Sequence, residues 1–334
     1  MYRNNEHFLL DLRHNFVLNH AALGDMVTSL PAIIYARVRK PAEMKLRVWT
    51  PVWQHELVTH LLAPYGEFEI KDIAKFPLKN LERKASEDWG GGPVSLNSFL
   101  HNNHTRNRIN MVDFAFGCLI DSAPENNSDR SYPTMAPLGP RTIEGDYVVF
   151  PTNATSENKL FRAIVMIPLL RWCLENGYKP VLVGTKTSHT HVEAKGAMRP
   201  VVVISEVDKV APDLLAQCLD FREKTTLMEL RDICGYAKAV ISVDGGTTHI
   251  AGTTGVPIIY AMTTTHPRHR FIVRHGSPHF LIKYVMPRDL ECAGCQSNWV
   301  LSHLDFTECL YGDSLCTERL HVDDFITALE ELGL

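Results

Sequence analysis

Val240-Ile241-Ser242-Val243-Asp244-Gly245-Gly246-Thr247-Thr248-His249-Ile250-Ala251-Gly252 is a β-branched run that stops at an aspartate, passes a glycine pair and opens into a helical pattern of small residues. A strand that feeds a helix through a tight turn is the unit of parallel sheets, since parallel neighbours need a crossover connection. The spacing predicts a strand over Ala239 to Val243, a helix from Thr247 and a further strand over Pro257 to Tyr260. Backbone N–H groups at such a helix start, with the positive end of the helix dipole, suit an anion such as a diphosphate, and glycines let it approach closely. His249, near the helix start, is either a packed or capping residue or a contact to phosphate and sugar.

The same alternation extends outward in both directions. Upstream lie predicted strands at Tyr147 to Phe150, Val181 to Val183 and Val201 to Ile204, and helices at about Leu160 to Asn176 and Leu227 to Tyr236. Gly177 marks a helix stop. Downstream, apolar residues at 322, 325, 326, 329 and 332 recur with helical period, which predicts an amphipathic closing helix. Near the start, strand Phe16 to Asn19, a helix from about Asp25 to Val38 and strand Leu46 to Trp49 form one βαβ unit. The stretch Lys75 to His104, with Gly90-Gly91-Gly92-Pro93, reads as a surface loop region. Prolines at 124, 133, 137 and 140 interrupt the apolar pattern between Asp121 and Gly145. The 334 residues therefore divide into an α/β domain over 1–140, a second over 141–320 and a closing helix over 321–334, any ligand lying between the domains.

Composition limits the alternatives. Apolar residues make up 45%, charged residues 22%, and the net charge is -4, the balance of an ordinary globular chain. Nucleic acid is not expected from this total and would require a local basic patch. No run approaches the ~18 to 20 apolar residues of a membrane-spanning helix, and no secretory signal opens the chain, so a cytoplasmic location is expected, compatible with peripheral membrane contact. His266 to Arg270 and Arg274-His275 read either as a solvated face or as contacts to an anionic acceptor or donor phosphate. No Gly-x-Gly-x-x-Gly follows a predicted strand, which argues against a nicotinamide-dependent dehydrogenase.

Two further loops follow predicted strands. Asp25 in Leu23-Gly24-Asp25 stands at the mouth of a helix, where a carboxylate serves either as an N-cap or as a general base. Pro151 to Lys159 is a hydroxyl-rich loop ending in a lysine at a helix start. A cation there opposes the dipole, so Lys159 is expected to have an anionic partner, either Glu157 or a bound phosphate.

Leu23-Gly24-Asp25 to Pro31, Thr155 to Lys159, and Asp244 to Ala251 together resemble the heptosyltransferases of glycosyltransferase family 9, across nearly the whole chain. The resemblance implies a GT-B architecture, two Rossmann-like doubly wound domains facing a cleft. It implies an inverting transferase that moves a heptose-like sugar from a nucleotide-diphosphate donor, ADP-heptose in the family, to a lipopolysaccharide-core or protein hydroxyl, without a catalytic metal. Asp25 maps onto the family's general base; Thr155, Lys159, Asp244, Gly245, Gly246, Thr247, Thr248 and His249 map onto its donor site. The family's ribose-contacting glutamate has no counterpart after the next strand, where Gly184-Thr185-Lys186-Thr187-Ser188-His189 stands instead. That departure keeps open a catalytically silent nucleotide-sugar-binding protein of the same fold, against which Asp25 argues.

Eight cysteines are unevenly placed. Cys118, Cys173, Cys218 and Cys234 lie singly in apolar segments and read as reduced core thiols. Cys292 and Cys295, then thirteen intervening residues and Cys309, then six and Cys316, crowd a loop-rich segment. They read as a tetrahedral thiolate site, as reduced thiols or as a redox pair plus two. A branch of the resembled family holds iron with four thiols, which points to structural zinc or iron on Cys292, Cys295, Cys309 and Cys316.

Overall fold

The computed structural model describes residues 15–18, 23–75, 94–95, 133, 138–154, 156–186, 188–194, 197–265, 282–295, 309 and 314–334. Thr155, Cys118, His266 to Arg270, Arg274-His275, nearly all of the loop expected over Lys75 to His104 and most of the proline-rich break lie outside them. The chain forms two compact units, Met1–Ala136 and Pro137–Leu334.

In the first unit β1 (Asn15–Val17) leads to α1 (Leu23–Arg39), β2 (Leu46–Thr50), α2 (His55–Leu62), β3 (Phe68–Asp72) and β4 (Val94–Ser95). The strands form a parallel sheet in the order β3-β2-β1-β4. Along β2, Leu46, Val48 and Thr50 are buried while Arg47 and Trp49 are half-buried, the two-residue period of a strand with one face on the core. On α1, Met26, Val27, Leu30 and Ile33 are buried at helical spacing. At its end the Arg37 guanidinium turns back to donate to the carbonyls of Met44 at 2.5 Å, Lys40 at 3.1 Å and Pro41, closing the loop to β2.

The second unit runs β5 (Tyr147–Pro151), β6 (Asn153–Ala154), a 3₁₀ turn (Glu157–Lys159), α3 (Ala163–Glu175), β7 (Lys179–Val183), β8 (Ser188–Ala194), β9 (Ala197–Ser205) and α4 (Pro212–Leu215). It continues with β10 (Leu219–Asp220), α5 (Leu227–Gly235), β11 (Ala239–Val243), α6 (Gly246–Gly252), β12 (Ile258–Ala261), β13 (Ile282–Val285), α7 (Leu315–Glu318) and α8 (Val322–Glu330). Six strands form a parallel sheet in the order β10-β7-β5-β11-β12-β13. Numbered by their succession in this sheet, that is 3-2-1-4-5-6, the order of a dinucleotide-binding sheet, reversing between β5 and β11. β5, β11 and β12 are buried throughout, as strands covered on both faces must be.

One sheet face packs on α3, α4 and α8 through Phe150, Ile241, Val165, Leu169, Leu214 and Phe325, with Phe161 and Phe325 meeting edge to face at 5.7 Å. On α5, Thr226 accepts from the Glu229 N–H while Glu229 accepts from the Thr226 N–H, a complete capping box. Gly177, at φ 80, ends α3 in the left-handed region.

Three elements depart from the sequence pattern. Val94 and Ser95, inside the expected surface loop, form β4 and pair parallel with β1. The run Val201 to Ile204 belongs to β9, which pairs antiparallel with β8 and β6 in a separate three-stranded sheet. Ala194 pairs with Ala197, and so short a connection permits only a hairpin. α3 starts at Ala163 rather than at Leu160, because the Glu157–Lys159 turn and an extended Leu160 and Arg162 precede it. Among the described residues no helix is long and apolar enough to cross a membrane.

Candidate functional site

In an open α/β sheet the loops leaving the carboxyl ends of the strands form a crevice where the strand order reverses. In the second unit that point lies between β5 and β11, and both loops singled out by sequence start there. β11 ends at Val243 and Asp244 follows; β5 and β6 lead into the turn that carries Lys159. The Lys159 Nζ donates to Asp244 Oδ2 at 2.8 Å. On the other side of the carboxylate, Asp244 Oδ1 lies 3.9 Å from His249 Nε2. The carboxylate and the His249 ring are almost enclosed, at 8% and 7% exposure, while Lys159 keeps 21%. A lysine ammonium has three donors, and the bond to Asp244 uses one of them.

Lys159 therefore has an anionic partner, though not the expected neighbour. Glu157 is exposed and reaches Arg162 instead, at 3.7 Å. Nor does Lys159 oppose the dipole of α3, which begins at Ala163. Glu206 occupies that helix start: its Oε2 accepts from the Ala163 N–H at 2.7 Å, and its Oε1 from Arg162 at 3.1 Å and Lys209 at 2.7 Å. Burial works to raise the Glu206 carboxyl, but these hydrogen bonds outweigh it and hold the pKa below the usual carboxylate range. A protein carboxylate thus fills the anion position at α3.

At α6 no side chain caps the first turn, whose N-cap is Gly245 in an extended conformation. A Cβ on Gly245 would meet only the Val243 carbonyl, at 3.9 Å, so the fold itself does not demand glycine there. Thr248 is engaged internally, donating to the Val243 carbonyl at 2.6 Å and bonding Ser242. Gly246 and Thr247 are half-buried in the first turn.

The turn after β7 contains a feature that sequence reading missed. Gly184 has φ 111, and a Cβ would fall 1.9 Å from Asn153 Oδ1, the atom that accepts from the Thr185 N–H at 3.0 Å. Glycine is required there to dock the β7 turn on the β6 strand. Across the same turn, Glu223 beyond β10 donates its N–H to the Gly184 carbonyl at 2.8 Å, and its Oε1 accepts from the Lys186 N–H at 3.2 Å. Glu223 adopts φ 60, a left-handed conformation uncommon for glutamate. A carboxylate therefore reaches the turn that lacks one of its own. The available signal was only Glu223 following a short strand, with nothing local to say which loop it meets.

In the first unit Asp25 lies in the first turn of α1, at the carboxyl end of β1, where that sheet also reverses between β1 and β4. Its side chain is outside the described set. Since α1 already starts at Leu23, Asp25 is within the helix rather than at its N-cap.

Burial first, then the charges of Cys295, Cys309 and Cys292, push the Cys316 thiol up to about 12. Cys316 is buried and the other three are half-buried. Among the described residues no three His, Cys, Asp or Glu side chains stand close enough to hold a metal ion.

The sequence matches no protein-family model and no curated protein. Solved structures do match. TibC, a bacterial iron-containing dodecameric glycosyltransferase from enterotoxigenic E. coli H10407, aligns with 96% of this chain and 75% of its own at a TM-score of 0.66 and 15% identity. The chain has the fold of the glycosyltransferase family 9 heptosyltransferases. E. coli ADP-heptose LPS heptosyltransferase II matches over 96% of this chain and 99% of its own, with a TM-score of 0.60 and 14% identity. The family 9 glycosyl transferase from Veillonella parvula DSM 2008 matches over 95% and 96%, with a TM-score of 0.58 and 12% identity. TibC has also been solved in complex with ADP-D-beta-D-heptose. In this heptosyltransferase fold the second unit supplies the Lys159–Asp244–His249 constellation at the strand-order reversal.

Proposed function

We propose that this protein is an inverting glycosyltransferase that takes a sugar, heptose-like by its resemblance, from a nucleotide-diphosphate donor and passes it to a glycan or protein hydroxyl. The observation that carries the reading is the Lys159–Asp244 pair, 2.8 Å apart at the point where the second unit's strand order reverses. The cation meets the diphosphate there, with the uncapped first turn of α6 and Gly245 leaving room for close approach. Glu223 at the Gly184–Lys186 turn supplies a carboxylate for the ribose hydroxyls, the role an acidic residue plays in dinucleotide-binding sheets.

Asp25 takes the proton of the acceptor hydroxyl as its oxygen bonds the anomeric carbon. The bond from that carbon to the diphosphate oxygen breaks, and the nucleoside diphosphate leaves with the electron pair. Lys159 and the α6 backbone offset the charge that develops on the leaving diphosphate. The reaction in this form needs no metal, and the donor by resemblance is ADP-heptose. Cys292, Cys295, Cys309 and Cys316 suit zinc or iron in ligand type and number, and a metal there would staple a loop-rich segment. Incubating the protein with ADP-, GDP-, UDP- and CDP-sugars, with and without glycan or protein acceptors, tests the reading. Nucleoside diphosphate release that depends on acceptor supports it; binding with no transfer or hydrolysis identifies a silent binding protein instead.

A further inference from the structure

Both polar groups of the peptide unit that presents Lys159 are held. The Lys159 N–H donates to the Ser156 carbonyl at 3.1 Å, and the carbonyl of the same unit, on Asn158, accepts from the Thr263 hydroxyl at 2.6 Å. Asn158 and Thr263 are buried and lie 105 residues apart, so this second bond is a tertiary tie. With its own carbonyl Thr263 accepts from the Gly294 N–H at 3.0 Å, inside Cys292-Ala293-Gly294-Cys295. One threonine thus joins the Cys-x-x-Cys turn to the Lys159 peptide.

A second tie reaches the same turn from α7, which packs against Glu157–Lys159. Thr317, the neighbour of Cys316, is fully buried. Its hydroxyl donates to the Ser314 carbonyl at 2.9 Å and accepts from Arg162 Nε at 3.0 Å. The other nitrogens of that guanidinium reach Glu206 at 3.1 Å and Glu157, on the turn itself, at 3.7 Å. The segments that bear Cys295 and Cys316 therefore grip the Lys159 turn at two separate points.

We infer that Thr263 and Thr317 are positioning residues for Lys159, through which the cysteine-bearing segments hold its ammonium in place for the diphosphate of the nucleotide sugar. A three-residue 3₁₀ turn has weak internal hydrogen bonds, and a binding group must be held within about 0.5 Å of its productive place. The two outside ties supply that precision. The inference rests on the glycosyltransferase reading above, and it gives the cysteine-bearing segments a part in nucleotide binding rather than in the chemical step.

The test is a mutant cycle read in nucleotide affinity. Thr263→Val, Thr263→Ser and Thr317→Val are made in the wild-type chain, and the two valine changes also in Lys159→Ala. Each protein is titrated calorimetrically with whichever of ADP, GDP, UDP or CDP the wild type binds most tightly, and its thermal midpoint is measured without nucleotide. Each valine variant is expected to bind about fivefold more weakly than wild type, while Thr263→Ser, which keeps the hydroxyl, stays within about twofold. In the Lys159→Ala chain the same valine changes should alter affinity by less than about twofold, since the cation they position is gone. Unchanged affinity in either folded valine variant, with only the midpoint lowered, makes that threonine a structural tie and overturns the inference. A loss of equal size with and without Lys159 overturns it too. Thr317→Val decides the question alone if Thr263→Val does not fold. A wild type that binds none of the four nucleotides, or a Lys159→Ala chain that binds as tightly as wild type, defeats the donor reading itself, a result distinct from intact binding that ignores both threonines.

Discussion

The Lys159 ammonium and the Asp244 carboxylate meet at 2.8 Å although 85 residues separate them, tying the turn after β6 to the end of β11. The pair is partly enclosed, so it is stronger than a surface ion pair and costly to break one-sidedly. Lys159→Ala is expected to weaken nucleoside diphosphate binding at least about tenfold, the loss of one charge-assisted hydrogen bond. A double-mutant cycle with Asp244→Ala should show a coupling of about 0.5–3 kcal/mol in thermal or urea unfolding. Unchanged nucleotide affinity in Lys159→Ala would reduce the pair to a structural tie.

Asp25 is assigned the proton-accepting role. Asp25→Asn should lower transfer by about 10²- to 10⁴-fold, the usual range for loss of a general base. Nucleotide affinity should stay within about twofold of wild type, since the proposed donor groups lie in the other unit. Paired measurements of turnover and equilibrium binding separate these effects, and near-normal turnover removes Asp25 from the chemistry.

Glu206 anchors the start of α3 through the Ala163 N–H and Arg162. Glu206→Gln should destabilise the protein by about 2 kcal/mol near neutral pH, as charge-assisted bonds weaken. The folded carboxyl has a lowered pKa, so its contribution is complete above the unfolded value of about 4.3 and fades as pH falls through the folded one. Urea unfolding at pH 7 and in the acid range should show the gap between wild type and Glu206→Gln narrowing with acid. A gap that widens would contradict the assignment.

Glu223 offers its carboxylate at the Gly184–Lys186 turn, where β7 ends. If it reads ribose, Glu223→Ala should lose most of the wild type's preference for a ribonucleoside diphosphate over its 2′-deoxy form, a change of about tenfold. Equal preference in variant and wild type would leave Glu223 as a brace for the turn.

Reading Cys292, Cys295, Cys309 and Cys316 as a metal site predicts about one zinc or iron per chain in protein purified without chelator, with Cys316→Ser reducing it. Elemental analysis of both proteins, with thermal midpoints before and after chelation, checks this. A metal-free wild type with an unchanged midpoint would make these cysteines ordinary reduced thiols.

Much of the scaffold was legible because it depends on local chemistry. The β-branched run 239–243 became β11 with those bounds, and the apolar spacing from Val322 became α8. Asp244, Lys159 and His249 were singled out separately, and they meet. The hairpin of β8 and β9 was not legible, since an apolar run does not state whether its partner is parallel or antiparallel. The resemblance set Thr248 among the donor-site residues, and only the fold shows that its hydroxyl bonds Val243 and Ser242.

What the sequence by itself determined is the succession of strands, turns and helices, because periodicity, glycine turns and capping residues act within a few positions along the chain. Only the tertiary structure decided who meets whom. Sheet pairing placed β5 beside β11, gave Lys159 the Asp244 carboxylate in place of Glu157, set Glu206 on α3 and carried Glu223 to the β7 turn. Those partners lie tens of residues apart, and their contact follows from strand order and register, which no local pattern encodes.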